Sequence, residues 1–418
     1  MLLQFARLLL AAAVLIAQPA VAEPLASAAP ASVGFAADRL KRLSDAVQAE
    51  IDKGAIPGAV LLIVRHGKAA YFEALGALDP EKKSPMRKDG IFRIYSMSKP
   101  ITSTVAMMLV EQGRLALADP VAKYLPEFKD VKVGEEKADK SLELVAVRRP
   151  MTIQDLMRHT SGLTYGFIGE GAVKAAYLAA NLGEGDPSTA EFVARLAKLP
   201  LAYQPGTTWD YSQATDVLGR IIEVVVGKSL SAAFGEMLFD PLGMPDTSFY
   251  VTDPGKYPRI VEPFANDRSI GAGAAVNDPR QVRKYESGGG GLLSTVSDYA
   301  RFLAMLANGG ELDGKRYLSP KTVAYMTSDH MGEVIKRGPY DLVGPGYKFG
   351  LGFAVRTEAG VSPLAGSTGD FTWGGAAGTY FWVDPKEKMF VIFMMQSPAK
   401  RAPLRIMLRD MVYAAMTE

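Results

Sequence analysis

The chain lacks cysteine and is poor in histidine, and both features exclude kinds of chemistry. Its 418 residues include no cysteine, which excludes disulfides, thiolate metal sites and lipid attachment through sulfur. The three histidines, His66, His159 and His330, lie far apart in the chain and show no metal-ligand spacing. We expect a turn at His66, a structural hydrogen bond for His159 and a surface position for His330. The sequence therefore predicts neither a metal site nor any other cofactor.

Long runs of like charge are also absent, and the net charge is only +2. Proteins that bind nucleic acid carry basic patches or stripes, so we expect no nucleic-acid partner. No Gly-x-Ser-x-Gly motif occurs, which argues against an α/β-hydrolase. With 48% hydrophobic residues, the chain can bury a large core.

Residues 1–22 have the pattern of a secretory signal. Arg7 precedes an apolar stretch, Leu8 to Ala17, and Ala20-Val21-Ala22 forms a small-x-small cleavage site. Ten apolar residues are too few to cross a bilayer core of roughly 30 Å, which makes an uncleaved membrane anchor the weaker alternative. We therefore expect residues 23–418 to form the mature protein, in the periplasm or outside the cell and without a stable membrane span.

Three short motifs carry the chemistry: Ser96-Met97-Ser98-Lys99, Tyr211-Ser212-Gln213 and Trp373-Gly374-Gly375. A serine hydroxyl needs a base within hydrogen-bonding reach to act as a nucleophile. On a helix, Ser96 and Lys99 lie one turn apart on the same face, and a tyrosine beside the lysine can relay the proton. At a helix start, Ser96 would also find free N–H groups that favour a developing oxyanion.

A second Ser-x-x-Lys sequence, Ser397 to Lys400, shows that the spacing alone is weak. Ser96 precedes an apolar run, Ile101 to Val110, that is typical of a buried helix, and two further motifs follow it at long range. Ser397 follows a strand-like run, and no further motif follows it in the sequence. The alternative for Ser96 is an ordinary helix N-cap.

The periodicity predicts strands at both ends of the chain around a helical middle. The N-terminal part contains a helix from Ala37 to about Asp52, then a hairpin of residues 59–64 and 69–72. Strands return at residues 351–355, 378–383 and 389–394, before a final helix over residues 403–416. One sheet assembled from both ends, with a helical region inserted, satisfies this order.

These motifs resemble the serine β-lactamase and penicillin-binding superfamily in its class C branch, and most closely the family VIII carboxylesterases. The segments Met151 to Leu163, Gly288 to Asp298 and Gly378 to Pro385 are also similar to segments of that group. The resemblance implies an α+β fold (α/β in the broad sense), in which an antiparallel sheet is flanked by helices and an all-helical domain is inserted. The sheet domain would comprise about 36–114 and 291–418 and the helical domain about 115–290, with the site between them.

By the same resemblance, Ser96 is the nucleophile, Lys99 its partner and Tyr211 the tyrosine of the second motif. The backbone N–H groups of Ser96 and Ala376 would form the oxyanion hole. The remaining motif residues would bind substrate; they are Gln213, Trp373, Gly374 and Gly375.

Two of these positions depart from the lactamase pattern. Gln213 stands where lactamases have asparagine, and Trp373-Gly374-Gly375 stands where they have Lys-Thr-Gly. A lysine suits a substrate carboxylate, whereas a tryptophan offers an apolar wall. Ser367-Thr368-Gly369 lacks the lysine, and we expect a loop there.

The sequence therefore predicts a serine carboxylesterase that hydrolyses short- to medium-chain esters through an acyl-enzyme, with weak hydrolysis of cephalosporin-like β-lactams as a possible side activity. Its partner would be a small-molecule ester or β-lactam. A β-lactamase or a D,D-peptidase is the nearest enzymatic alternative. A penicillin-recognising binding protein that does not turn over is the alternative of another class.

Overall fold

The computed structural model describes residues 25–271 and 274–418, so the expected signal over residues 1–22 lies outside the described residues. The helices are α1 Ala37–Asp52, α2 Ser98–Glu111, α3 Ile153–Met157, α4 Ala172–Ala179, α5 Thr189–Leu196, α6 Ala214–Val226, α7 Leu230–Phe234, α8 Asp240–Leu242, α9 Val296–Ala307, α10 Pro320–Met326 and α11 Arg401–Ala414. The strands are β1 Gly58–Arg65, β2 Lys68–Asp79, β3 Ser84–Pro85, β4 Phe92–Arg93, β5 Lys132–Glu136, β6 Leu142–Ala146, β7 Thr208–Trp209, β8 Ser269–Gly271, β9 Ala274–Ala275, β10 Leu293–Ser294, β11 Glu311–Leu312, β12 Lys315–Arg316, β13 Lys336–Arg337, β14 Tyr347–Phe349, β15 Ala354–Arg356, β16 Phe371–Gly374, β17 Tyr380–Asp384 and β18 Met389–Met395.

The main sheet has eight strands in the order β14-β15-β16-β17-β18-β1-β2-β3, and all neighbours are antiparallel. The first three strands along the chain join the last five through the pairing of β1 with β18, so the predicted sheet assembled from both chain ends is confirmed. β1 is central because its Val60 pairs with Met394 of β18 on one side and with Ala74 of β2 on the other.

Alternate residues of the central strands build two cores, because neighbouring side chains of a strand point to opposite faces. On one face, Leu61 and Ile63 pack with buried residues of α1 and α11 such as Leu43 and Leu408. On the other face, Val60 and its alternate neighbours join a larger core with α2 and α9. The sheet is therefore covered by helices on both faces.

The predicted helices at residues 37–52 and 403–416 are confirmed as α1 and α11, and the predicted hairpin as β1 and β2. The apolar run from Ile101 to Val110 lies in α2, whose Pro100 sits in the first turn, where its missing N–H is not needed. The strand predicted at residues 351–355 is shorter and begins at Ala354, since Gly352 has a φ of 97° that interrupts extended backbone.

The inserted region is not entirely helical. Residues 115–290 contain α3 to α8, but they also contain the antiparallel hairpin of β5 and β6. The resemblance had implied an all-helical domain, and this hairpin departs from it. In the described part of the chain, none of the helices has both the length and the apolar character that a membrane crossing requires.

Candidate active site

Ser96 lies in a short 3-10 turn, Tyr95–Met97, that runs directly into α2. Tyr95 has a φ of 42°, a conformation that costs a non-glycine residue energy and that often occurs at functional sites. Unlike its neighbours Tyr95 and Met97, Ser96 is only half-buried. The strained turn thus presents the Ser96 hydroxyl at the start of a buried helix.

Lys99 lies one helical turn after Ser96 and is 1% exposed. Its Nζ is 3.4 Å from Ser96 Oγ, 3.3 Å from the hydroxyl oxygen of Tyr165 and 2.6 Å from the carbonyl oxygen of Gly289. The same nitrogen lies 4.5 Å from the ring centroid of Tyr211. The structure therefore brings Ser96, Lys99 and Tyr211 together, as we predicted from the order of the motifs in the sequence.

The glycine-rich turn, residues 288–291, is held against α2 by its backbone. Three side chains of α2 bind it: Lys99 donates to Gly289 O at 2.6 Å, Thr102 donates to Gly288 O at 2.7 Å, and Ser98 accepts from Leu292 N at 3.1 Å. From the other side, the buried carboxylate of Asp216 accepts from Gly289 N at 3.1 Å. A side chain on Gly289 would come within 2.7 Å of Asp216 Oδ2. The glycine-rich turn therefore lies beside the site, and its Gly289 carbonyl fixes the lysine.

Tyr211 is 7% exposed and packs among aromatic rings. Its hydroxyl oxygen accepts a hydrogen bond from Trp373 Nε1 at 3.3 Å. Its ring centroid lies 4.8 Å from that of His159 and 5.4 Å from that of Tyr165. These contacts fix the ring over the Lys99 ammonium.

His159 is buried, and its role is structural, as expected. Its Nδ1 lies 3.2 Å from the hydroxyl oxygen of Ser212, next to Tyr211 in the chain. Burial, together with the positive charge of Lys99, holds the pKa of His159 well below its usual value. The imidazole is therefore neutral at physiological pH and supports the Tyr211 ring without adding a second cation.

Tyr165 is the residue of the site that the sequence did not reveal. Burial raises the pKa of Tyr165 well above its usual value, and the negative charge of Asp216 raises it further. The phenol thus stays protonated while its oxygen accepts a hydrogen bond from Lys99. Tyr165 follows the segment Met151 to Leu163 closely, but no motif marks it among the seventeen tyrosines of the chain.

Trp373 lies one residue before the end of β16, beside Tyr211, and the space around the two following residues is narrow. A side chain on Gly374 would come within 2.3 Å of Arg405 Nη2, and one on Gly375 within 2.4 Å of Ile94 O. Arg405 reaches this turn from α11 and donates to the carbonyl oxygens of Gly375 and Thr379, at 3.1 and 3.2 Å. The Arg405 guanidinium therefore lies behind Trp373-Gly374-Gly375, the motif that lacks a lysine, and is bound to the backbone there.

Ser96 and Ala376, which are expected to supply the oxyanion N–H groups, each lie close in sequence to one partner of the contact between Gly375 and the Ile94 carbonyl. Gly375 is packed against the carbonyl of Ile94, and Thr379 Oγ1 donates to that carbonyl at 3.2 Å. Ser96 follows Ile94 by two residues and Ala376 follows Gly375 by one. Both residues are half-buried.

Gln213 immediately precedes α6 and follows Tyr211 by two residues. Its side-chain oxygen Oε1 is buried and has no hydrogen-bond partner among the described residues. A buried acceptor without a partner is costly, so a substrate N–H or O–H at this point would satisfy it.

The other candidates make structural contacts. The Ser397 hydroxyl donates to Asp267 at 2.6 Å, and its Lys400 ends a 3-10 turn, so the second Ser-x-x-Lys sequence is structural. His66 lies in the hairpin turn, as expected. The surface position expected for His330 is wrong, because this residue is 8% exposed and its Nε2 lies 2.8 Å from the carbonyl oxygen of Tyr325.

The loop expected at Ser367-Thr368-Gly369 is confirmed. Within residues 25–271 and 274–418, no group of three or more histidine, cysteine or acidic side chains could hold a metal ion.

Known proteins with similar sequences or folds match nearly the whole chain. The sequence profile of the family described as Beta-lactamase matches residues 43–414. Protein Rv1367c of Mycobacterium tuberculosis is 37% identical over 353 residues, which cover 82% of this chain and 87% of that protein. Esterase EstB of Burkholderia gladioli is 33% identical over 401 residues, which cover 91% of this chain and 96% of that protein. The solved structure of EstCE1, described as a hydrolase with promiscuous acyltransferase activity, is 29% identical with a TM-score of 0.74, covering 90% of this chain and 98% of that one.

Proposed function

The chain belongs to the Beta-lactamase family, and from that premise we propose that it is a serine carboxylesterase that hydrolyses small-molecule esters through an acyl-enzyme on Ser96. The similarity to EstB and EstCE1 supports the esterase activity. The observation that carries the proposal is the 3.4 Å contact of Lys99 Nζ with Ser96 Oγ at the start of a buried helix.

The proposed reaction has two steps. In the first, the pair of Lys99 and Tyr211 reacts in the form that carries one proton fewer than an ammonium and a phenol together. Ser96 Oγ attacks the ester carbonyl carbon while its proton passes to this pair, which then protonates the leaving alkoxide. The product alcohol departs and the acyl group stays on Ser96. In the second step, a water molecule attacks the acyl carbon, its proton passes to the same pair and then to Ser96 Oγ, and the carboxylic acid is released. The N–H groups of Ser96 and Ala376 would stabilise the oxyanion of each step.

The lining of the site favours neutral substrates. Trp373 provides an apolar face where a cation would select a carboxylate. The Arg405 guanidinium behind it is bound to the carbonyls of Gly375 and Thr379. We infer a preference for neutral esters with short- to medium-chain acyl groups.

Weak β-lactam hydrolysis is a second candidate activity, and one observation favours it. The unpartnered Oε1 of Gln213 could accept the side-chain amide N–H of a cephalosporin-like substrate. The lysine that would bind the β-lactam carboxylate is missing at Trp373, so we expect this activity to be much slower than ester hydrolysis.

A panel of p-nitrophenyl esters from acetate to palmitate, assayed beside nitrocefin, tests the proposal. We expect the highest kcat/KM for acetate to octanoate and a loss of at least a thousandfold in Ser96→Ala. Trp373→Lys should move selectivity toward anionic esters by about tenfold to a hundredfold, which corresponds to a hydrogen bond with a charged group. Wild-type protein that hydrolyses penicillins with a higher kcat/KM than p-nitrophenyl butyrate would contradict the proposal.

We also propose that the protein is exported to the periplasm or beyond. The basis is the signal-like pattern of residues 1–22. N-terminal sequencing of the protein recovered from a periplasmic extract should find Glu23 as the first residue. Recovery of the full-length chain from the cytoplasm would contradict this.

A further inference from the structure

A buried polar cluster lies beside the site and takes no part in the reaction proposed above. Thr164 Oγ1 donates to Asp210 Oδ2 at 2.6 Å. The Lys174 ammonium lies 3.4 and 3.3 Å from the two oxygens of the same carboxylate. Thr164, Asp210 and Lys174 are 0%, 2% and 4% exposed. This cluster is therefore an ion pair with a hydrogen-bonded hydroxyl, removed from water.

The cluster joins three segments that are distant in sequence. Thr164 lies in the loop that follows α3, Lys174 in α4, and Asp210 directly after β7. The loop is packed tightly onto α4, since a side chain on Gly166 would come within 2.5 Å of Leu178 N.

The position of the cluster in the chain links it to catalysis. Thr164 immediately precedes Tyr165, and Asp210 immediately precedes Tyr211. These two tyrosines flank Lys99, one through its hydroxyl oxygen at 3.3 Å and the other through its ring at 4.5 Å. The bond between Thr164 and Asp210 therefore ties together the backbones that carry both tyrosines.

Stability alone does not explain an ion pair at this position. Removing two charges from water is expensive, and well-packed apolar residues of similar volume often serve as well or better. A carboxylate bound by a hydroxyl and an ammonium, in contrast, fixes direction and distance. Displacements of about 1 Å in an active site can cost roughly a hundredfold in rate.

We propose that Asp210, together with Thr164 and Lys174, is a positioning clamp that sets the distance between Tyr165 and Tyr211 around Lys99. The inference rests on the proposed function of Ser96 and Lys99. These three residues touch neither substrate nor the reacting atoms, and they act through the two tyrosines.

The first experiment compares two threonine-to-valine substitutions. Thr164→Val keeps the shape of the side chain and removes only the hydroxyl. The matched control is Thr247→Val, because Thr247 is also buried and donates to a buried carboxylate, Asp298, at 2.9 Å. The control hydroxyl also contacts Ser294 at 2.8 Å, so its loss should destabilise the fold at least as much.

The readout is the rate at which a fluorophosphonate probe labels Ser96, resolved into the maximal rate of bond formation and the probe concentration that gives half that rate. We expect Thr164→Val to lower the maximal rate by roughly tenfold to a hundredfold, with the half-saturating concentration nearly unchanged. Thr247→Val should lower the melting temperature at least as much and leave the labelling rate near that of the wild type. Equal labelling rates in the two variants would overturn the clamp.

A second pair of variants tests the positioning clamp even if Thr164→Val fails to fold. Asp210→Asn with Lys174→Met removes both charges together and keeps an oxygen acceptor for Thr164. Asp210→Ala with Lys174→Met removes the acceptor as well. We expect labelling within about threefold of wild type in the first and a loss of tenfold or more in the second. Similar rates in both double variants would overturn the proposal.

The same assay separates this inference from the proposed function. Wild-type protein that labels at Ser96 without hydrolysing any ester would contradict the esterase proposal, while the rates of the variants would still decide the clamp. Wild-type protein that neither labels nor hydrolyses esters would overturn both.

Discussion

Replacing each of the two tyrosines beside Lys99 by phenylalanine distinguishes their roles. In the structure, the lysine ammonium contacts the hydroxyl of Tyr165, whereas it lies over the ring of Tyr211. Sequence motifs assign the proton relay to Tyr211. We therefore expect Tyr211→Phe to impair the proton transfer itself and Tyr165→Phe to impair only the position of Lys99.

The magnitudes follow from the contacts. General acid–base catalysis contributes about a hundredfold to ten-thousandfold, which is the loss we expect in kcat/KM for Tyr211→Phe. Tyr165 supplies one of three oxygens around the ammonium. A hydrogen bond to a charged group contributes about 1.5–3 kcal/mol, so Tyr165→Phe should cost roughly ten- to a hundredfold.

The assay is the kcat/KM for p-nitrophenyl butyrate in the two single variants and in the double variant. Because both tyrosines act through Lys99, the losses should combine to less than their product. Activity of Tyr211→Phe within a few-fold of wild type, with a larger loss in Tyr165→Phe, would refute the assignment and transfer the relay to Tyr165.

Three further predictions concern other parts of the molecule. Ser96→Ala should lower kcat/KM by at least a thousandfold, whereas Ser397→Ala should leave it unchanged, because that hydroxyl is bound to Asp267; the reverse result would exchange their roles. Gly374→Thr should lower the unfolding free energy by about 1–3 kcal/mol in urea titrations, since its Cβ would displace the Arg405 guanidinium from the carbonyls of Gly375 and Thr379, and unchanged stability would contradict this packing. Burial raises the pKa of Asp298 from 3.8 to about 6. The carboxyl therefore stabilises the fold below pH 4 by about 3 kcal/mol, and this contribution to the unfolding free energy is lost as the pH rises through 6. Asp298→Asn should remove this pH dependence from urea unfolding at pH 4 and pH 8, and an unchanged slope would show that another group titrates.

Local sequence patterns correctly predicted helices and strands whose own residues show the apolar spacing or turn residues of that element. Helix α1 begins and ends where its apolar spacing indicates, and the hairpin of β1 and β2 turns at His66 and Gly67, where both φ angles are positive. The pair of Ser96 and Lys99 could also be predicted, because a helix fixes the geometry of residues three positions apart.

Contacts between distant segments could not be predicted in this way. Tyr165 and Arg405 reach the site from two separate parts of the chain, and no local pattern marks either of them. The same limit explains the error at His330, whose polar character suggested exposure although it pairs with Gln154 and the backbone of Tyr325 in a buried position.

The central place of β1 in the sheet affects how the chain reaches its native state. One neighbour of β1, β2, follows at once, but the other, β18, is synthesised much later. Until then, a strand made almost wholly of apolar residues has unpaired N–H and C=O groups along one side, and such an edge readily pairs with other chains. Contacts this distant in sequence also form slowly. The nascent protein therefore needs protection from aggregation until its last strand is complete, and a chain truncated before Met389 should precipitate rather than fold.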